Sequence, residues 1–197
     1  AGNPDQTLVN ALLHYDKNLS KLPRAGLIHR LDKNTSGLLL IAREPISYHA
    51  LVKMMQERDI SREYETIVTG AMVSGGTIEA PIGRHPKSRT QMAVTPGGKP
   101  SITHYRIIKR FQAHTHVRVQ LETGRTHQIR VHLSHINYPI VGDPVYGKQH
   151  MIKGLPLKRQ ALHAVKLSFT HPVTQETLSL EAPLPEDMQA LIAKLSS

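Results

Sequence analysis

The chain has 197 residues, of which 39% are hydrophobic, so it is long enough to bury a core and does not read as a disordered tail. Its 25 Lys and Arg residues outnumber 15 acidic residues and give a formal net charge of +10, which favours a polyanionic partner such as a nucleic acid. The absence of Cys excludes disulfides and cysteine zinc sites, and the longest apolar run, residues 38–42, is far shorter than the roughly 20 residues of a membrane helix.

The first predicted element is a short helix that Thr7 caps and that ends near Asp16, because leucine and valine recur in it at a spacing of four residues. Residues 22–26 then break the helical pattern. The run 37–42 is continuously apolar and predicts a strand covered on both faces. The polar stretch 29–36 is therefore predicted to be a loop between buried strands.

The middle of the sequence predicts a helix, a strand and a basic ribbon. Pro45 opens the helix, whose apolar stripe consists of Ile46, Ala50, Leu51, Met54 and Met55. Residues 62–70 predict the strand. Residues 81–99 combine proline and glycine breaks with the basic cluster Arg84, His85, Lys87 and Arg89, and we expect an exposed, cationic loop or ribbon that faces RNA.

The last part of the sequence predicts two antiparallel pairs and two helices. Residues 105–111 and 117–122 alternate as one pair, and 162–169 with 178–182 form a hairpin. Thr126 is predicted to cap a helix that turns Ile129, Leu133 and Ile136 inward, and a final helix buries Met188, Leu191, Ile192 and Leu195. The glycine-rich, basic segment 145–159 predicts a mobile flap. The fold class is mixed α/β (α+β), with a largely antiparallel sheet core and flanking helices.

The loop 29–37 is rich in side chains that can take part in catalysis or binding. It contains a carboxylate, two cations, an imidazole and two hydroxyls between predicted strands. Loops held by rigid strands are common positions for active sites. Each residue also has a structural interpretation: Asp32 can close an Asx-turn, Thr35 and Ser36 can cap backbone groups, and Gly37 can supply a tight turn. The residue types alone leave both interpretations open.

Five segments in chain order carry a resemblance to a known family. They are residues 28–38 (Ile-His-Arg-Leu-Asp-Lys-Asn-Thr-Ser-Gly-Leu), 62–64 (Arg-Glu-Tyr), 121–132 (Leu-Glu-Thr-Gly-Arg-Thr-His-Gln-Ile-Arg-Val-His), 139–147 (Pro-Ile-Val-Gly-Asp-Pro-Val-Tyr-Gly) and 160–164 (Gln-Ala-Leu-His-Ala). Together they resemble the motifs of the RluA-type pseudouridine synthases. The resemblance extends over nearly the whole chain and implies the pseudouridine synthase catalytic fold across residues 1–197.

The resemblance implies three catalytic residues and no cofactor. Asp32 is the essential carboxylate, acting as a nucleophile that traps the sugar or alternatively as a base toward it. Tyr64 stacks on the extruded uracil and can assist removal of its C5 proton. Arg130 is the cation paired with Asp32, and we expect a bidentate pair to fix the direction of the carboxylate.

The resemblance also implies an RNA partner, namely a stem-loop of large-subunit ribosomal RNA, and a cytoplasmic location. The residues predicted to contact substrate or RNA are His29, Arg30, Thr35, Arg84, Lys87, Arg89, Arg125 and Leu162, although Leu162 can equally be a core residue. No metal, membrane or small-molecule cofactor is expected, and a monomer is favoured.

Three departures from the family pattern bear on these expectations. Asn34 stands where Asp is more usual, a change that we expect to be tolerated. The segment 145–159 is shorter than the matching stretch of the most similar members, which weakens the prediction of a flap. The chain begins after the family's first Lys-Pro motif, and we expect an amino-terminal RNA-binding domain to be missing from it.

Two alternatives remain at this point. Three histidines, His127, His132 and His135, together with Asp143 could bind a metal, but His127 and His132 lie five residues apart, so their helical faces diverge by about 140°. The second alternative is a non-catalytic RNA-binding or ribosome-assembly module. An intact set of Asp32, Tyr64 and Arg130 favours the enzyme over that module.

Overall fold

The computed structural model describes residues 5–88, 91–147, 157 and 159–197. Contacts group the chain into two compact units, one of residues 1–31, 39–60 and 168–178 and the other of residues 32–38, 61–167 and 179–197. This grouping does not test whether residues 1–197 form a single catalytic domain, which therefore stays a prediction. No helix within the described ranges is both long and apolar enough to span a membrane.

The amino-terminal part of the first unit is helical. Helix α1 spans Leu8–Tyr15, and Thr7 caps it in a reciprocal capping box with Asn10, as the sequence predicts. Two short 3₁₀ helices, Lys17–Lys21 and Pro23–Gly26, follow, and Leu19, Leu22 and Ala25 from them form a small core.

Helix α2, Pro45–Glu57, also belongs to the first unit and begins with proline in its first turn, which confirms the prediction of a helix there. Its predicted apolar stripe is only partly correct. Leu51 is buried, whereas Ile46 is 75% exposed.

The predicted strand at 37–42 is wrong, because strand β1 comprises only Ser36–Gly37. Gly37 has a φ of +106°, a conformation outside the β region, so the chain changes direction there. Leu38 still donates its amide hydrogen to the Ala164 carbonyl at 3.0 Å. Further along, Ile41 forms only an isolated bridge with Leu27. Apolar composition alone does not distinguish such an irregular buried segment from a strand.

A mostly antiparallel sheet, in agreement with the predicted fold class, lies largely in the second unit. Besides β1, its strands are β2 (Ser61–Thr69), β3 (Gly76–Glu79), β6 (Ile102–Arg110), β7 (His114–Leu121) and β8 (Leu162–Thr170). Their order in the sheet is β1-β8-β2-β7-β6-β3. β7 pairs antiparallel with both β2 and β6, and β3 pairs antiparallel with β6, while β1 is parallel to β8. Strand β9, Thr177–Glu181, pairs with β8 and confirms the predicted hairpin.

Two further elements complete the second unit. Strands β4 (Ile82–Arg84) and β5 (Met92–Val94) pair as a separate two-stranded ribbon, which confirms the ribbon expected at 81–99. Helix α4, Glu186–Ser196, confirms the predicted final helix and fully buries Met188 and Leu191, whereas Ile192 and Leu195, also predicted to be buried, are only partly buried.

The two faces of β2 have different roles because successive side chains of a strand alternate between faces. Glu65 lies on one face, where it is hydrogen-bonded to His116 at 2.7 Å and paired with Arg118. Arg62 and Tyr64 lie on the other face. Tyr64 is paired in register with Val119, and Thr103 with Leu121, so Thr103 shares the face of Tyr64.

Helix α3, Gln128–His135, packs on the face of the sheet that carries Tyr64. Gln128 donates hydrogen bonds from Nε2 to the Ile102 carbonyl at 2.9 Å and to Thr103 Oγ1 at 3.0 Å. The predicted cap is wrong: the helix begins after His127, whose φ is +57°, and no side chain caps it. The side-chain oxygen of Gln128 accepts the Arg125 amide at 2.9 Å, so Gln128 holds the loop that precedes the helix, where Thr126 was expected to be the cap.

The predicted flap at 145–159 falls largely outside the described residues.

Candidate active site

Arg130 on α3 is the centre of the site, because its guanidinium contacts two carboxylates. Nε donates to Asp143 Oδ2 at 2.7 Å and Nη2 donates to Asp143 Oδ1 at 2.9 Å. Nη1 donates to Asp32 Oδ2 at 3.3 Å. The expected pair between Arg130 and Asp32 is therefore present, but the bidentate geometry was assigned to the wrong carboxylate and belongs to Asp143.

Asp143 is a fully buried carboxylate that fixes Arg130. Its Oδ1 also accepts the amides of Val145 at 2.8 Å and Tyr146 at 3.0 Å. Burial acts to raise the pKa of the Asp143 carboxyl, but hydrogen bonds from Arg130 and from these amides outweigh burial and lower the pKa below its ordinary value. Asp143 therefore stays charged, and Arg130 keeps a fixed position next to Asp32.

Asp32 has one carboxylate oxygen held and one open. Oδ2 accepts the hydrogen bond from Arg130, whereas Oδ1 has no hydrogen-bond partner among the residues that the structure describes. The side chain is 14% exposed, so the open oxygen is still reachable from solvent. This arrangement leaves a directed lone pair available for a substrate atom.

The loop that carries Asp32 is held from the segment before β8. Gln160, itself buried, donates from Nε2 to the Lys33 carbonyl at 2.8 Å and to Thr35 Oγ1 at 2.9 Å. Arg159 donates to the Asn34 carbonyl at 3.3 Å. Asn34 itself has a φ of +70°, and asparagine is one of the few residues that adopt this left-handed conformation readily. The departure at position 34 is thus compatible with the loop.

Tyr64 lies close enough to Asp32 for the two groups to interact electrostatically. The pKa of the Tyr64 hydroxyl is raised, chiefly by burial; the nearby Arg62 acts to lower it, and the negative charge of Asp32 raises it further. Its ring is almost entirely buried. Tyr64 therefore remains a neutral phenol at physiological pH.

Tyr146 is a second tyrosine of the site, which the sequence analysis did not identify. The Arg130 guanidinium carbon lies 5.1 Å from the centre of the Tyr146 ring, within the range of a cation–π interaction. The Tyr146 hydroxyl accepts a hydrogen bond from the Met92 amide of β5 at 3.0 Å and is hydrogen-bonded to His127 Nδ1 at 2.9 Å. Tyr146 therefore connects the ribbon β4–β5 to Arg130.

Several residues predicted to contact substrate have contacts within the protein. His29 is buried and accepts the Leu40 amide at Nε2 at 3.0 Å, which is a structural contact inside the first unit. Thr35 accepts the hydrogen bond from Gln160 described above. Leu162 is buried in β8, in agreement with its alternative as a core residue. A substrate role for these residues remains a prediction.

The predicted basic contacts are exposed where the structure describes them. Arg30, Arg84, Lys87 and Arg125 lie at the surface, and Arg125 also donates to the Pro100 carbonyl at 3.3 Å. Arg89 lies outside the described residues. Exposure makes these cations accessible to phosphates but does not assign them an RNA contact.

The side chains named in the metal alternative have separate partners. His132 is hydrogen-bonded to Thr103 Oγ1 at 2.8 Å and to the Ala80 carbonyl at 2.9 Å, and Asp143 pairs with Arg130. Among the described residues, no three His, Asp or Glu side chains are arranged to hold a metal ion.

Sequence reasoning missed Tyr146 and Gln160 as parts of the site and named Asp143 only as a possible metal ligand. All three fall inside segments that were quoted for the family resemblance, so the signal was their position within those motifs. Their partners are distant in sequence, and a motif does not specify which side chains meet.

Comparisons with known proteins identify the family of this chain. The family of RNA pseudouridylate synthases matches residues 5–135. The chain is 53% identical over 205 residues to the ribosomal large subunit pseudouridine synthase D of Xanthomonas campestris pv. campestris, covering 99% of this chain and 62% of that protein. It is 50% identical over 202 residues to the protein of the same name from Escherichia coli K12, covering 98% of this chain and 62% of that protein.

A solved structure shares the fold. Human RNA pseudouridylate synthase domain containing 1 is 26% identical, with a TM-score of 0.70, and the match covers 87% of this chain and 80% of that one. The chain spans about three fifths of the length of the two curated relatives described above.

Proposed function

The chain belongs to the RNA pseudouridylate synthase family, and from this premise we propose that it isomerises uridines of large-subunit ribosomal RNA to pseudouridine. The observation that carries the proposal is the carboxylate of Asp32, which Arg130 holds by one oxygen while the other oxygen is open. Two relatives that are at least 50% identical carry the name ribosomal large subunit pseudouridine synthase D, which supports the choice of RNA.

The isomerisation requires no cofactor because its atoms balance within the nucleotide. The C1′–N1 bond breaks, the uracil turns, and a C5–C1′ bond forms while C5 loses a proton and N1 gains one. We propose that Asp32 Oδ1 attacks C1′ as the C1′–N1 bond breaks and holds the sugar as a covalent ester during the turn, as carboxylates do in retaining glycosidases. Attack of C5 on C1′ then breaks this ester and releases the Asp32 carboxylate. The fixed hydrogen bond from Arg130 to Oδ2 keeps Oδ1 pointed at the sugar.

Tyr64 is proposed to contact the uracil. Its ring offers a flat apolar face on which the base can stack, and its hydroxyl is neutral because burial raises its pKa. A neutral phenol donates a hydrogen bond to the turning base more readily than it removes a proton from C5. The proposed role of Tyr64 is therefore to hold the uracil. Its hydroxyl can relay the proton from C5 only if a second group accepts a proton from that hydroxyl.

The substrate uridine has to leave its stack before Asp32 can reach C1′. The exposed cations Arg30, Arg84, Lys87 and Arg125 can bind backbone phosphates of a stem-loop, a contact that carries little sequence information. A ribosomal RNA substrate implies that the protein works in the cytoplasm, and a monomer would suffice because Asp32, Tyr64 and Arg130 all come from one chain.

Release of tritium tests the proposed enzyme against the alternative of a non-catalytic RNA-binding module. RNA labelled with tritium at C5 of uridine should lose label to water when incubated with the protein, and release should continue in the presence of EDTA. The full complement of Asp32, Arg130 and Tyr64 in one unit supports this outcome. Tight binding without any release would overturn the enzyme and leave the binding module.

We further propose that this chain is a catalytic domain, and that the part of its relatives that it does not match adds affinity and site choice. Phosphate contacts weaken steeply with salt and select poorly among sequences. The chain should therefore convert uridines in a suitable stem-loop, but with weaker binding and a broader pattern of modified sites than the Escherichia coli relative. Mapping pseudouridines and measuring Kd at two salt concentrations for both proteins checks this, and identical patterns with equal Kd would contradict it.

A further inference from the structure

Arg62 on β2 is a buried cation that has no acidic partner among the residues that the structure describes. Its side chain belongs to a residue that is only 8% exposed, and its Nε is fully enclosed without a hydrogen-bond partner. Neither a carboxylate nor a hydrogen-bond acceptor contacts the guanidinium within the part of the chain that the structure describes. Arg130, by contrast, contacts two carboxylates.

Such a cation is costly for folding. A buried charge loses its hydration, and a protein ordinarily compensates the loss by pairing the charge or bonding all its donors. Burial lowers the pKa of Arg62, in agreement with that loss, and no carboxylate counters the effect. Packing alone does not explain Arg62, because an apolar side chain of similar shape would fill the same space without the cost.

Arg62 is positioned next to the proposed reaction centre. It lies two residues from Tyr64 on the same face of β2, and the two side chains interact electrostatically. A Cβ placed on Gly124 would lie 2.8 Å from Arg62 Nη1, so the exposed backbone at Gly124 passes directly over the guanidinium. Only Nε is both fully enclosed and without a partner, so Nη1 and Nη2 are the nitrogens that retain access to solvent.

We propose that Arg62 is the binding site for one phosphodiester of the RNA strand, at the nucleotide whose base stacks on Tyr64. A guanidinium presents donors in a planar fork that matches two oxygens of one phosphate, and a desolvated anion contact of this kind is stronger than one at the surface. The phosphate supplies the counter-charge that the described part of the chain does not provide to Arg62. That Arg62 binds a phosphate group is inferred from the structure, and only the identification of this phosphate as part of RNA rests on the proposed function.

The first test measures thermal stability without RNA. Arg62→Met removes the unpaired charge but keeps most of the shape, so its Tm should equal or exceed that of the wild type. Inorganic phosphate should raise the Tm of the wild type more than that of Arg62→Met. The matched control is Arg106→Met, since the Arg106 side chain lies on the opposite face of the sheet and is 72% exposed. A phosphate-induced shift in Arg62→Met as large as in wild type and control would overturn the proposal.

The second test measures RNA binding. Arg62→Met should weaken binding of a uridine stem-loop roughly tenfold. The slope of log Kobs against log salt concentration should also become shallower, by about the amount that one phosphate contact contributes. Arg62→Lys should restore charge but only part of the affinity, because Lys lacks the fork. Unchanged affinity and slope in Arg62→Met would sink the assignment even if its Tm rises.

A neutral methylphosphonate introduced singly on either side of the target uridine locates the contact. At one of the two positions the wild type should lose affinity while Arg62→Met loses none, because the contact is already absent. Equal losses in both proteins at each position would contradict a phosphate on Arg62. These binding results do not depend on turnover, so a wild type that releases no tritium would refute the proposed function and leave the phosphate site to be judged separately.

Discussion

Asp32→Asn is expected to lower tritium release by on the order of 10⁴-fold or more, while Kd for RNA and Tm stay near their wild-type values. The amide has the shape of the carboxylate, and its oxygen can still accept the hydrogen bond from Arg130 Nη1. It lacks the charge and the nucleophilicity that an ester with C1′ requires. Release rates under single-turnover conditions measure the effect on chemistry without contributions from product release.

Asp59→Asn is the matched control, because Asp59 is an exposed acid outside the unit that contains Asp32. It should release tritium at the wild-type rate. Turnover of Asp32→Asn within tenfold of this control would remove Asp32 from the role of nucleophile, and the site would then need a different reacting group.

Arg130→Ala is expected to abolish turnover and also to destabilise the fold by roughly 3–5 kcal/mol, because it leaves the fully buried Asp143 without its cation. The loss of activity in this variant therefore has two causes, a weakened fold and a carboxylate of Asp32 that is no longer held. Urea unfolding measures the first cause, and tritium release at a temperature where the variant is folded measures the second.

A double variant separates the two causes. Arg130→Met combined with Asp143→Asn removes both buried charges, and the amide oxygen of Asn can still accept the amides of Val145 and Tyr146. It should recover most of the lost free energy of unfolding but none of the turnover. Recovery of turnover together with stability would show that Arg130 serves the fold alone.

Sequence reasoning found Asp32 and Arg130, which are 98 residues apart, only because each lies within a recognisable motif. The residue types alone did not decide whether Asp32 closes a turn or belongs to an active site. The bidentate contact was assigned to Asp32, yet Asp143 accepts it. The path of the backbone after α3 decides which of the two carboxylates accepts the bidentate hydrogen bonds of Arg130. No local sequence pattern predicts that path.

The strand prediction at 37–42 failed for a related reason. Its apolar residues are partly buried, as a strand's would be, but Gly37 has a positive φ and the chain leaves the sheet after two residues. Strands with a regular pattern of apolar residues, such as β2 and β8, were predicted with nearly correct bounds. A buried irregular segment has the same apolar composition as a buried strand but lacks the regular hydrogen bonds of a sheet.

The contact between β5 and Tyr146 has a consequence for how such a site can diversify. The donor to the Tyr146 hydroxyl is the backbone amide of Met92, not its side chain. Every residue except proline carries that amide, so mutations can rewrite the side chains of the ribbon without breaking its link to Arg130. The side chains of the ribbon can therefore change over evolution, or by loop grafting in the laboratory, while Tyr146 keeps its contacts with the Met92 amide and with Arg130.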